Sequence, residues 1–253
     1  MKNNYLLIAL ALFVGTSLLS GCKKQEQTCQ LGKVYNSDGN VTPNPNVFSY
    51  YDNGNLQKIV YTDNSSDTLA YSNDSLYLFT YNSQGVLVAT LHAQLNGSGY
   101  ITTGAKTLLD NLGNTLGTTT YTCQYNAEGN LTQLVTLDAN GTTTQVYTYD
   151  NGNRKEGMVY TDTTISTTYS YYHNSAENKT GINDEFDVFT PYLGKASKNL
   201  LDSIHVIANN DTTRILFNEK LDANGYLNSA TRTYLPITAN TRYFTFSYIN
   251  CAE

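Results

Sequence analysis

One short phrase constrains this chain more than anything else in it: an apolar residue, Asn or Asp, any two residues, then Gly. It occurs in six long forms, Tyr35 to Gly39, Tyr81 to Gly85, Leu109 to Gly113, Tyr125 to Gly129, Leu137 to Gly141 and Leu221 to Gly225. Two shorter forms, Tyr51-Asp52-Asn53-Gly54 and Tyr149-Asp150-Asn151-Gly152, read as two-residue Asn-Gly hairpins. An Asn or Asp side chain at the first turn position bonds the backbone two residues on, and Gly takes the left-handed conformation where a Cβ would clash. A type I turn followed by such a Gly closes a hairpin with a bulge. The stretch from Gln124 to Arg154 holds three of these turns, separated by runs rich in Thr, Val, Leu and Tyr. One hairpin device used repeatedly is the expected architecture.

The runs between turns alternate as strands do. Leu87, Ala89, Leu91, Ala93 and Leu95 are apolar at every second position, with Thr90, His92 and Gln94 between them. That predicts a half-buried antiparallel strand. Tyr77, Phe79 and Tyr81 alternate upstream, and Phe244, Phe246 and Tyr248 near the end of the chain. Tyr121, Cys123 and Tyr125 share a face, as do Tyr147 with Tyr149 and Tyr169 with Tyr171. The rhythm stops between 173 and 203. This irregular segment carries Asp184, Glu185 and Asp187, a weak Ca²⁺ candidate that lacks the spacing and Gly of a calcium loop. A short helix is expected over 198–203, and the segment is expected to cover one end of the sheet. The fold class is all-β: a long twisted or curved antiparallel meander of hairpins, left as an open sheet, a partial barrel or a closed one.

The N-terminus gives an address. Lys2 and the apolar run Leu6 to Val14, too short to span a bilayer, read as an export signal over residues 1–21. Leu19-Ser20-Gly21-Cys22 resembles the lipobox of bacterial lipoproteins. That resemblance implies acylation of Cys22 and a membrane anchor of several acyl chains. Residues 22–33 form the lipidated Cys and a polar tether, and 34–253 a single β domain. Lys23 is not the Asp associated with inner-membrane retention, so the expected location is the outer membrane, with either face open. Charged residues are only 14% of the chain and the formal charge is −6. That balance excludes nucleic acid as a partner.

The phrase Tyr125-Asn126-Ala127-Glu128-Gly129-Asn130-Leu131 resembles the YD repeat of Rhs-type and teneurin shells. The spacing here is uneven, the Arg usual after Gly is missing, and the chain is too short to close such a shell. The order of parts is more similar to Gram-negative lipoproteins described as a domain of unknown function with a porin-like fold. The features that carry this are the lipobox, the turn phrases, Tyr192 to Leu200 and Leu221 to Leu227. The resemblance implies a curved or barrel-like antiparallel sheet and brings no known activity with it. "Porin-like" describes shape, because a membrane barrel needs a lipid-facing apolar band and these strands alternate into Thr, Ser and Gln.

No catalytic signature stands out. The three His (92, 173, 205) lack zinc spacing, and there is no nucleophile elbow or phosphate-binding Gly loop. No cofactor is expected. The leading functional reading is a lipid-anchored, non-enzymatic binding or structural module for glycan, peptide or another envelope protein. The alternatives are a glycan-active hydrolase built on distant carboxylates and a carrier of apolar molecules in a half-barrel. Tyr147, Tyr149, Tyr169 and Tyr171 are the candidate binding residues. They form either a core ladder or an exposed aromatic strip. Cys123, in a Tyr slot, is expected buried and free. Cys29 and Cys251 lie near opposite ends of the domain and form the candidate disulfide, since domain termini often meet and the envelope permits oxidation.

Overall fold

Sixteen antiparallel strands in chain order close into a barrel. A computed structural model describes residues 29–37, 45–161, 165–178, 192–208, 211–235 and 241–249. Of the sequence expectations, Cys22, Cys251, Asp184, Glu185, Asp187 and the Tyr35 to Gly39 turn tip lie outside those residues. The strands are β1 Gln30–Ser37, β2 Asn46–Tyr50, β3 Leu56–Val60, β4 Ser66–Ser72, β5 Ser75–Tyr81, β6 Leu87–Leu95, β7 Ile101–Leu109 and β8 Thr115–Tyr125. They continue as β9 Leu131–Asp138, β10 Gly141–Asp150, β11 Asn153–Tyr160, β12 Ile165–Glu177, β13 Asn199–Ala208, β14 Asp211–Leu221, β15 Leu227–Leu235 and β16 Thr241–Ile249. Leu31–Tyr248 is one compact unit. No described helix is long and apolar enough to cross a membrane.

The turns follow the phrase with two instructive exceptions. At Asn82, Asn96, Asp110, Asn126 and Asp222 the side chain accepts from the backbone N–H two residues on. The Gly that follows has positive φ in every case. Tyr51 to Gly54 was expected as a two-residue hairpin. It adopts the longer geometry instead, with Gly54 N–H donating to the Tyr51 carbonyl and Tyr51 N–H to Asn55. Asp138 and Gly141 pair directly, so that long-form phrase makes a two-residue loop. Asn151-Gly152 is the expected tight hairpin, with φ of 51° and 80°. The short helix expected over 198–203 is absent, because Asn199 onward pairs with β12 as β13.

Barrel closure sorts the side chains. In-register pairing places Ile59, Asp67, Leu69, Leu78, Leu91 and Ala93 on one face, and these are buried. Tyr121, Cys123, Tyr125 and Tyr147 continue that face across β8 to β10 and pack against the same core. A second cluster of Val34, Leu227, Ala230, Phe244 and Phe246 completes it on β1, β15 and β16. Cys123 is buried and free, as its position predicts. The opposite face is turned outward. It carries Lys58, His92, Thr118, Thr120, Thr122, Gln124, Arg214, Asn218 and Lys220, all exposed.

Candidate functional site

Loops after even-numbered strands lie at one rim of the barrel, and loops after odd-numbered strands at the other. The first rim is built by tyrosines. Tyr50 donates its hydroxyl to the Leu31 carbonyl at 2.9 Å, Tyr71 to Leu56 at 2.8 Å and Tyr125 to Ile101 at 2.6 Å. Tyr149 bonds Leu131 at 2.9 Å and Tyr248 bonds Leu227 at 2.8 Å. In each case the last inward residue of an even strand reaches a carbonyl at the start of the odd strand before it. The phenol caps a backbone acceptor in the wall, and the ring fills the rim. Burial raises these phenols above their ordinary range, Tyr50 and Tyr149 to about 12.

A strap crosses this rim. Tyr192 and Leu193 pack on the inner core, and the Tyr192 and Tyr71 hydroxyls share a short hydrogen bond. Lys195 N–H donates to the Gly129 carbonyl at 3.0 Å and Lys198 N–H to Gly152 at 3.0 Å. Arg154 N–H donates to Ser197 Oγ at 3.2 Å, and Ser197 in turn donates to the Tyr172 hydroxyl at 2.9 Å. The described part of the irregular segment therefore lies over the ends of strands, as the sequence suggested, and fastens two hairpin turns.

The four candidate binding tyrosines divide. Tyr147 faces inward over Gly157, under the Arg154 guanidinium 5.4 Å from its ring centre. Tyr149 belongs to the rim just described. Neither is an exposed strip. Tyr169 and Tyr171 face outward, where Tyr169 sits opposite His205 and Tyr171 leans on the His205 ring at 4.8 Å. Tyr171 is 47% exposed. A second outward pair stacks Tyr77 flat on His92, 4.6 Å apart and 1° from parallel. His92 and His205 are thus wall residues against tyrosine rings.

The sequence reading missed a charged patch on the inner wall. Ile215, Phe217 and Leu221 alternate, but Glu219 shares their register and faces inward opposite Ala230. Arg232 lies opposite Phe217, with its guanidinium 5.2 Å from that ring and 5.8 Å from Phe244. Burial, then the nearby charge of Asp202, pushes the Glu219 carboxyl up to about 7. The available signal was a carboxylate at an apolar step of an alternating strand. Two neighbouring carboxylates with different environments resemble an acid–base pair, but Glu219 Oε2 is shut off from solvent. Among the described residues no cluster of His, Cys, Asp and Glu could hold a metal ion.

No protein-family model and no curated protein matches the chain. Solved structures do. A porin-like protein from Bacteroides vulgatus superposes with a TM-score of 0.65 at 15% identity, covering 87% of this chain and 99% of that one. A porin-like protein from Bacteroides uniformis gives 0.63 at 17% identity, covering 87% and 98%. The likeness is one of fold. It agrees with the barrel-like sheet that the order of parts implied. Cys29 is disulfide-bonded.

Proposed function

We propose that this chain is a lipid-anchored, non-enzymatic binding protein of the outer membrane, with its barrel standing in water and an envelope glycan as its ligand. The observation that carries the reading is the distribution of side chains across the wall. Buried Leu, Ile and Phe point inward, while the outer wall carries Lys58, His92, Gln124, Glu156, Arg214 and Lys220. A lipid-facing wall would incur about 2–4 kcal/mol for each Lys or Arg near the bilayer midplane. The membrane attachment is then the acyl anchor on Cys22 rather than the strands. The hydroxyls of Tyr50, Tyr71, Tyr125, Tyr149 and Tyr248 are committed to backbone carbonyls, which supports reading these rings as wall rather than as the lining of a carrier.

On the outer wall, Tyr171 with His205 offers a flat apolar ring with a polar tip, the kind of surface that stacks on a sugar face. Replacing Tyr171 by Ala should leave the melting curve nearly unchanged, as for an exposed residue. It should weaken retention on immobilised envelope polysaccharide at least tenfold. Equal retention of the variant and the parent would remove this surface from the proposal. Cys22→Ser should shift the protein from the membrane to the soluble fraction. A processed Cys22→Ser protein still found wholly with membranes would show that the anchor lies elsewhere.

A further inference from the structure

Glu219 stands on the inner wall with one oxygen that nothing satisfies. The register of β14 against β15 sets it opposite Ala230, whose methyl offers no hydrogen-bond donor. Its Oε2 is closed off from solvent and has no hydrogen-bond partner. A carboxylate held in such a place is costly, and the neutral acid much less so.

The charged and titratable groups around it are turned to other tasks. On β15 its diagonal neighbour is Arg232, whose guanidinium lies 5.2 Å from the Phe217 ring centre and 5.8 Å from that of Phe244. Tyr234 lies further along the same strand, opposite Ile215. On β16, Arg242 stands opposite Arg232, and Tyr248 donates its hydroxyl to the Leu227 carbonyl. Asp222, in the turn that follows β14, accepts the Asn224 and Tyr226 N–H groups, each at 2.9 Å. On the other flank, β13 brings Asp202, which accepts from Ser203 Oγ at 3.3 Å. Burial and the charge of Asp202 both favour the protonated form of Glu219.

We infer that Glu219 is a proton-binding site in the barrel wall, which tightens the packing of β14 against β13 and β15 when it holds its proton and loosens it when the proton leaves. Release breaks the carboxyl O–H bond, leaves the electron pair on oxygen and hands the proton to water. The carboxylate that remains repels Asp202 and faces a methyl group. In the unfolded chain Glu219 ionises at its ordinary value of 4.5, and in the barrel at about 7. The stability that its proton contributes is therefore fully present below pH 4.5 and is lost as pH rises through about 7. This device does not depend on what the outer wall binds.

The test compares the full chain with Glu219→Gln, which keeps the shape and cannot ionise. Between about pH 5 and about pH 8.5 the parent should lose at least about 3 °C more in melting temperature than Glu219→Gln. His92 and His205 are common to both proteins, so the difference belongs to Glu219. Asp202→Asn should keep the loss and move its midpoint to lower pH. At about pH 6, where ordinary carboxyls are ionised, the infrared spectrum of the parent should hold the C=O band of a protonated carboxylic acid, and Glu219→Gln should lack it. Above about pH 8 the amides flanking Glu219 and Ala230 should exchange faster in the parent than in Glu219→Gln at the same pH, while β5 and β6 amides exchange equally in both. Parallel melting curves, an acid band that survives the substitution, or equal exchange at Glu219 and Ala230 would overturn the proposal. Should Glu219→Gln fail to fold, the parent alone decides: a spectrum without an acid band at about pH 6 overturns it.

Discussion

Tyr125→Ala is expected to lower the unfolding free energy of the barrel by about 3–5 kcal/mol, the range for removing a large aromatic from a packed interior. Tyr125 is the last inward residue of β8. Its hydroxyl donates to the Ile101 carbonyl at 2.6 Å, and its ring stacks on Tyr100 with centres 5.4 Å apart. The ring also lies beneath the strap, since a Cβ on Gly194 would fall 3.1 Å from its Cε1. Tyr125→Phe keeps the ring and removes only the hydroxyl, so it should cost about 0.5–1.5 kcal/mol. Urea denaturation of the two variants separates packing from hydrogen bonding. A loss below about 1 kcal/mol for the alanine variant would mean that the rim tyrosines are decoration rather than core.

That prediction rests on a distinction the sequence states only in part. Period two shows that Tyr121, Tyr125, Tyr147 and Tyr149 each share a face with their strand neighbours, and likewise Tyr77 with Tyr81 and Tyr169 with Tyr171. It does not say which faces join across the sheet. Cross-strand register decides that, and register depends on turn length and on bulges such as those at Gln124/Tyr125 and Thr148/Tyr149. The extra residues at these bulges, Thr132 and Lys155, lie on the partner strands, so Tyr125 and Tyr149 keep the face of Tyr121 and Tyr147 while Leu131 and Arg154 are brought opposite them. In the barrel Tyr121, Tyr125, Tyr147 and Tyr149 stand on the inner wall, while Tyr77, Tyr169 and Tyr171 stand on the outer one.

The turn chemistry was legible because it is local. An Asn or Asp side chain and a Gly three residues on shape the loop from within, and most of the phrases behave as read. Tyr51 to Gly54 departs because its backbone takes the longer loop with Tyr51 in the place of Asn. Closure was not legible, since it depends on β16 finding β1 across the whole chain. Glu219 was passed over for a related reason. A carboxylate within an apolar alternation is noticeable only once Ala230 and Arg232 are known to stand on the same wall.

Gly194→Ala should release the strap while leaving the barrel closed. Gly194 has a φ of +100°, a conformation that L side chains adopt only with strain of about 1–3 kcal/mol. A Cβ there would lie 2.9 Å from the Gly129 carbonyl oxygen and 3.0 Å from Leu131 N, both backbone atoms of the β8–β9 hairpin. Those atoms cannot rotate away, so relief requires the strap to lift, at a further cost of about 1–3 kcal/mol. Lifting breaks the Lys195 N–H bond to Gly129 first, and the Lys198 bond to Gly152 lies three residues along the same strap. Gly85→Ala provides the comparison, because φ is +76° there but nothing lies within 4 Å of the added carbon. Backbone strain alone should make Gly85→Ala mildly destabilising, with strap amides exchanging at the parent rate. In Gly194→Ala the Lys195 and Lys198 amides should exchange much faster, while the β5 and β6 amides keep their protection. If both variants show the same exchange at Lys195 and Lys198, the strap is not seated on the Gly129 turn, and its role in closing this rim falls with it.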